Sequence, residues 1–200
     1  MLKNIKATDT VVELAKNDGL ARELQGFFAN PKNRSLWAID TGRQKLTKEL
    51  RYTQHIPLRA NRTVPGQILL STSQWNQVCN IVDHKLLEIP IFKKTNDWVL
   101  NTLQEHNSNL VICQGRSFFS KHLANTTIDN HIDEGSYFDH YWYRLHFVVE
   151  SNLQNWFYIN HVKACLEPGK LYWINNHVPH WLENASNSDR INLITDIHCQ

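Results

Sequence analysis

The stretch Trp142-Tyr-Arg-Leu-His-Phe-Val-Val149 is dense in aromatic and β-branched residues, which fit a pleated, half-buried surface. Residues two apart on a strand share a face. This period puts Trp142, Arg144, His146 and Val148 on one side and Tyr143, Leu145, Phe147 and Val149 on the other. Further along, Asn155–Ile159 and Lys170–Ile174 are short apolar runs, with an evident turn at Glu167-Pro168-Gly169 between them. Asp189-Arg190 opens a last strand over Ile191–Ile197. Short antiparallel strands divided by turns predict a mainly β chain folded as a sandwich or jelly roll. Closed at one end, such a scaffold holds a site rigidly in its open mouth.

Upstream of this strand stands His131-Ile132-Asp133, and His180 and Arg190 follow much later. In extended chain His131 and Asp133 point the same way, so both can grip one ion while Ile132 faces the opposite side. A His-x-Asp pair and a distant His form the ligand set of a facial triad, which binds non-haem Fe(II) and leaves other coordination positions open. The tripeptide alone carries little weight, because eleven histidines and nineteen acidic residues produce it by chance. The weight lies in the ordered conjunction of His-x-Asp, an arginine-bearing strand, a hairpin, and then His and Arg. Arg190 comes ten residues after His180, where the next strand brings a cation beside the metal. Its planar fork suits the far carboxylate of a 2-oxoacid. His177 is the rival ligand to His180, and taken alone Arg144 and His146 read equally well as a buried hydrogen-bonded pair.

From His131 to Asp196, about a third of the chain, the sequence resembles the aspartyl/asparaginyl β-hydroxylase family of 2-oxoglutarate oxygenases, which includes free-proline hydroxylases. The matching elements are His131-Ile-Asp133, Arg144-Leu-His146, Glu167-Pro-Gly-Lys-Leu-Tyr-Trp-Ile-Asn-Asn176, His180-Trp-Leu-Glu-Asn184 and Arg190-Ile-Asn-Leu-Ile-Thr-Asp196, in that order. The resemblance implies a double-stranded β-helix, a cupin-like jelly roll. It implies Fe(II) held by His131, Asp133 and His180, with 2-oxoglutarate and O2 as co-substrates. Arg190 is then the partner of the distal carboxylate, and Arg144 and His146 match a motif that helps bind the co-substrate. Asn192 departs from the His that many members carry, which bears only on a neighbouring contact. The implied reaction hydroxylates a C–H bond of an amino acid, peptide or protein side chain and converts 2-oxoglutarate to succinate. The family's favoured register selects His180 over His177. Two other classes stay open: a metal-binding cupin without oxygenase activity, which does not require Arg190, and a silent interaction protein, which binds neither iron nor 2-oxoglutarate.

The rest of the chain bounds these expectations. Two hundred residues suit one domain, 1–200, with helices and supporting strands over 1–108 and the catalytic jelly-roll core over 109–200. A net charge of +2, with both signs mixed, leaves no nucleic-acid or membrane footprint. Cys79, Cys113, Cys165 and Cys199 are scattered and form no disulfide or zinc framework. With no apolar leader, a reduced cytoplasmic setting is expected. Arg116, Ser117 and Ser120 precede the His-x-Asp pair and read either as pocket residues or as a solvated turn.

The N-terminal half gives helix signals. Thr8–Phe28 reads as helical with Thr8 or Asp9 as cap, although Gly19 interrupts it. Tyr52–Arg59 alternates as a strand that Pro57 assigns to a sheet edge. Ser71 and Gln74 have capping-box spacing for a helix to about Leu87. A further helix is expected over Asn96–Glu105, with Trp98 and Leu103 inward, and a strand over Leu110–Phe119.

Overall fold

The computed structural model describes residues 2–6, 8–40, 48, 50–61 and 81–199. In chain order the strands are β1 (Val11–Lys16), β2 (Thr53–Asn61), β3 (Ile81–Asp83), β4 (Ile112–His122), β5 (Thr126–His131), β6 (Tyr143–Glu150), β7 (Asn155–Ile159), β8 (Val162–Ala164), β9 (Lys170–Ile174), β10 (His180–Asn184) and β11 (Arg190–Cys199). The α-helices are α1 (Asp18–Ala29), α2 (Pro90–His106) and the short α3 (Ser136–His140). The strands form a seven-stranded sheet, β1-β9-β6-β11-β4-β2-β3, and a four-stranded sheet, β5-β10-β7-β8. Every pairing is antiparallel. This is the expected jelly roll, with helices flanking it.

Strand β6 explains the layering. Its Leu145, Phe147 and Val149 join one apolar cluster with Leu20, Leu24 and Phe28 of α1 and Phe92, Val99 and Leu103 of α2. Its Val148 joins a second cluster with Ile128, Phe157, Ile159 and Leu182 from the opposing sheet. Both faces of the large sheet are therefore buried, one under helices and the other inside the sandwich. The period-two reading of 142–149 separates these two faces as expected. Arg144 and His146 look into the sandwich, where the site is built.

The N-terminal helix is shorter than its sequence suggests. Val11–Lys16 is a strand paired with β9, and the helix begins only at Asp18. Asn17 caps it, with Oδ1 accepting from the Leu20 N–H at 3.0 Å, which satisfies a donor the first turn leaves open. Gly19 sits in that first turn, so it interrupts nothing. Gly169 is required at the junction: its φ is +82°, its carbonyl accepts from the Asn17 N–H at 2.7 Å, and a Cβ there collides with Asp18 Oδ1.

Other expectations shift similarly. β2 pairs with both β3 and β4, so it is not the outermost strand, but β3 covers only Arg59–Asn61 and Pro57 lies beyond that pairing. The capping box at Ser71 and Gln74 lies outside the described residues. The C-terminal part of the helix expected there is instead strand β3 and a 3-10 turn at Lys85–Glu88. Helix α2 starts at Pro90, whose fixed φ suits a first helical position, and so runs longer than Asn96–Glu105. Its Trp98 packs on Phe147 with ring centroids 4.9 Å apart. Among the described residues no helix is long and apolar enough to cross a membrane.

Candidate metal centre and anion pocket

Two neighbouring strands present the histidines. β5 ends on His131 and β10 begins on His180, and these are direct cross-strand partners. Their ring centroids lie 4.3 Å apart. Asp133 stands just past β5, where its backbone N–H donates to the Asn176 carbonyl at 3.0 Å and so folds the chain back. One ligand atom from each of His131, Asp133 and His180 lies within 4.8 Å of the others. Ile132 between them is exposed. His177 is not part of this cluster; its ring stacks on Trp142 at 3.8 Å.

Hydrogen bonds set the state of each ligand. His131 Nδ1 lies 2.8 Å from the Asp129 carbonyl oxygen, and His180 Nδ1 lies 3.0 Å from that of Val178. A carbonyl only accepts, so each Nδ1 carries a proton and each Nε2 is the nitrogen left to face a metal. Burial brings His180 down to about 4, against the opposing pull of Asp133, so it is neutral at physiological pH. Burial would raise the Asp133 carboxyl, but Arg144 first, then His180, the Asn176 amide at 2.9 Å and His131 hold it below the usual carboxylate range. Two imidazoles and one carboxylate at a cavity edge fit a divalent first-row metal with open positions.

Behind the carboxylate runs a buried ionic chain. Arg144 Nη1 donates to Asp133 Oδ2, while its Nε and Nη2 donate to Asp196 Oδ1 and Oδ2 at 2.7 and 3.0 Å. Asp196 also accepts from the Tyr137 hydroxyl at 3.0 Å, and Arg116 Nε lies 3.7 Å from it. Tyr137 in turn accepts from the Arg116 N–H at 2.8 Å. Gly115 makes this possible, because a Cβ there meets the Tyr137 hydroxyl at 2.6 Å. The side-chain hydrogen bonds Arg144 makes among the described residues go to these two carboxylates, and the residue also lines the cavity. Asp196 is fully buried. Asp196→Ala leaves Arg144 without its main partner and should cost about 3–5 kcal/mol of stability, as breaking a buried pair does. Chemical denaturation of variant and wild type checks this; a loss under about 1 kcal/mol contradicts the network's role.

The cavity between the sheets runs from the triad to Arg190 and is lined also by His146, Asn176, Phe157, Ser120 and Asn192. Arg190 is 5% exposed, and burial pulls its pKa down to about 10. With the Asn192 amide oxygen turned towards it, Arg190 Nη2 and Nη1 donate to that oxygen at 2.7 and 3.0 Å. Its guanidinium also lies 5.5 Å from the Phe157 ring centroid. Among the described residues no carboxylate pairs with it. A buried cation facing a cavity without an anion fits a carboxylate ligand. His146 is buried and held neutral, with its Nδ1 lacking a hydrogen-bond partner among the described residues.

The aspartyl/asparaginyl β-hydroxylase family profile matches residues 93–199, more than half of the chain. The chain belongs to that family. This family member is an oxygenase, a hydroxylase of the class that uses Fe(II), 2-oxoglutarate and O2. Among solved structures it is similar to a prolyl-4-hydroxylase from Pseudomonas putida, with 14% identity over 96% of this chain and 94% of that one and a TM-score of 0.52. It is also similar to a prolyl hydroxylase from Trichoplax adhaerens in complex with a hypoxia inducible factor oxygen degradation domain peptide fragment, with 11% identity over 94% and 82% of the two chains and a TM-score of 0.53. These likenesses show the fold. Among curated proteins no sequence matches.

Buried histidines give the apoprotein an acid limit. His122, His146 and His180 all have folded pKa values below the ordinary 6.5, mainly through burial. As pH falls below about 6.5 the unfolded chain takes up protons that the fold resists, so stability drops. Each such group costs about 1.4 kcal/mol per pH unit in that window. The metal-free protein should therefore melt at sharply lower temperature at pH 5 than at pH 7.5. A flat melting temperature across that range contradicts buried neutral imidazoles.

Proposed function

We propose that the chain is an Fe(II)- and 2-oxoglutarate-dependent dioxygenase that hydroxylates a C–H bond of an amino acid, or of an amino-acid side chain in a peptide or protein. The observation that carries this reading is the pairing, in one cavity, of the His131/Asp133/His180 cluster with buried Arg190, which no carboxylate among the described residues pairs with. His131 and His180 supply Nε2 and Asp133 supplies a carboxylate oxygen to the iron. Arg190 takes the distal carboxylate of 2-oxoglutarate, and Arg144 and His146, which line the same cavity, complete the co-substrate site. When bound, iron and 2-oxoglutarate together supply the oxidising power, consuming O2 and releasing succinate and carbon dioxide.

The chain's own residues do the rest. The two backbone carbonyls fix each imidazole's tautomer, and Arg144 and Asn176 both hold Asp133 Oδ2, which leaves Oδ1 for the metal. Apolar Ile128, Phe157, Ile174 and Leu182 wall the cavity and limit water around it. The family name favours aspartyl or asparaginyl side chains as substrate, and prolyl residues join the candidates through the prolyl hydroxylases that share the fold. Succinate release by the iron-loaded protein, screened over free amino acids and over peptides carrying those residues, tests the reading. Release stimulated by one of these supports it; an absence of 2-oxoglutarate turnover with every candidate, and without any, opposes it.

A further inference from the structure

The Arg190 end of the cavity holds a residue whose chemistry is still unspent. Along β4, Phe118, Ser120 and His122 face the cavity while Phe119 packs into the helix-side core. His122 is 2% exposed, and neither of its ring nitrogens has a hydrogen-bond partner among the described residues. It is the direct cross-strand partner of Arg190. Buried polar groups nearly always find partners, so an imidazole with two open nitrogens at a cavity wall points to a ligand. Its neighbour fixes the sign of that ligand, because Arg190 is a buried cation with no carboxylate partner among the described residues.

We propose that His122 is a recognition residue for the distal carboxylate of 2-oxoglutarate, donating one ring N–H to the group that Arg190 pairs with. This rests on the co-substrate site proposed above. Burial, and then the Arg190 charge, bring His122 down to about 3, so the ring is neutral and adds a directed donor without a second positive charge. Arg190 attracts any carboxylate that reaches it, whereas a fixed imidazole donor rewards one of the right length. His122 therefore acts in selection of a five-carbon dicarboxylate over shorter or singly charged 2-oxoacids.

The test is an anaerobic titration of the Fe(II)-loaded protein with 2-oxoglutarate and, separately, with 2-oxobutyrate, which lacks the distal carboxylate. Wild type, His122→Leu, the ring-sized His122→Phe and the donor-retaining His122→Gln and His122→Asn are compared, with Fe(II) affinity and melting temperature recorded for each. In the apolar variants the preference for 2-oxoglutarate over 2-oxobutyrate should shrink about tenfold or more, the scale of a hydrogen bond to a charged group, with Fe(II) affinity unchanged. Either amide should recover part of it. An unchanged preference in whichever apolar variant folds overturns the inference. A wild type that binds Fe(II) and no 2-oxoglutarate instead overturns the co-substrate reading beneath it, so the two failures are distinct.

Discussion

His180→Ala is expected to lower the affinity for Fe(II) more than about 100-fold, because even loss of an outer partner of a metal ligand costs 10–100-fold. The ring lost is the one facing His131 across the β5–β10 pair, and no other histidine joins that cluster. His177→Ala is the matched control, since its ring stacks on Trp142 and is not among the clustered ligands. Its Fe(II) affinity should stay within about threefold of wild type, because a residue outside the ligand set takes no bond from the metal. Isothermal titration under anaerobic conditions reads both. Iron affinity retained in His180→Ala and lost in His177→Ala would reverse the assignment.

Arg190→Ala should weaken 2-oxoglutarate binding on the order of 100-fold and spare Fe(II) binding. The magnitude follows from deleting one member of a buried, charge-assisted pair, which costs about 2–5 kcal/mol. Arg190→Lys should recover only part of the loss, because an ammonium cannot match a carboxylate with two parallel N–H donors. A variant in which co-substrate affinity is unchanged removes Arg190 from the site. This variant also separates the two halves of the cavity, since the triad hangs on β5 and β10 while Arg190 belongs to β11.

Much of this was legible in the chain. Strands β7 and β9 fall on the residues their apolar runs mark, because turns bound them on both sides. β8 has only three residues and no pattern of its own, so nothing local announces it. β1 reads as helix because Val11, Val12, Leu14 and Ala15 continue into the apolar positions of α1; its strand state is decided by β9, more than 150 residues away. Spacing alone left His177 and His180 as rivals, and the family resemblance chose His180, which heads β10 and lies in one cluster with His131 and Asp133.

Partners were harder to read than positions. Spacing places Arg144 on the inner face of β6, but it does not say that the guanidinium is held by Asp133 and Asp196. Asp196 lies within a recognised element, an even number of residues after Arg190, and that parity is the one signal its role leaves in the sequence. His122 leaves none. It sits in a polar-looking Ser120-Lys121-His122 run, and its burial comes from β2 and β11 pairing on either side of β4.

One titration tests the central claim most directly. Purified apoprotein, held without oxygen, receives Fe(II) and then 2-oxoglutarate while the visible spectrum is recorded. A metal-to-ligand charge-transfer band that forms only when both are present, and fails to form in His180→Ala, is the expected result. Tight metal binding with no such band at any 2-oxoglutarate concentration would contradict it and leave a metal-binding cupin without oxygenase chemistry.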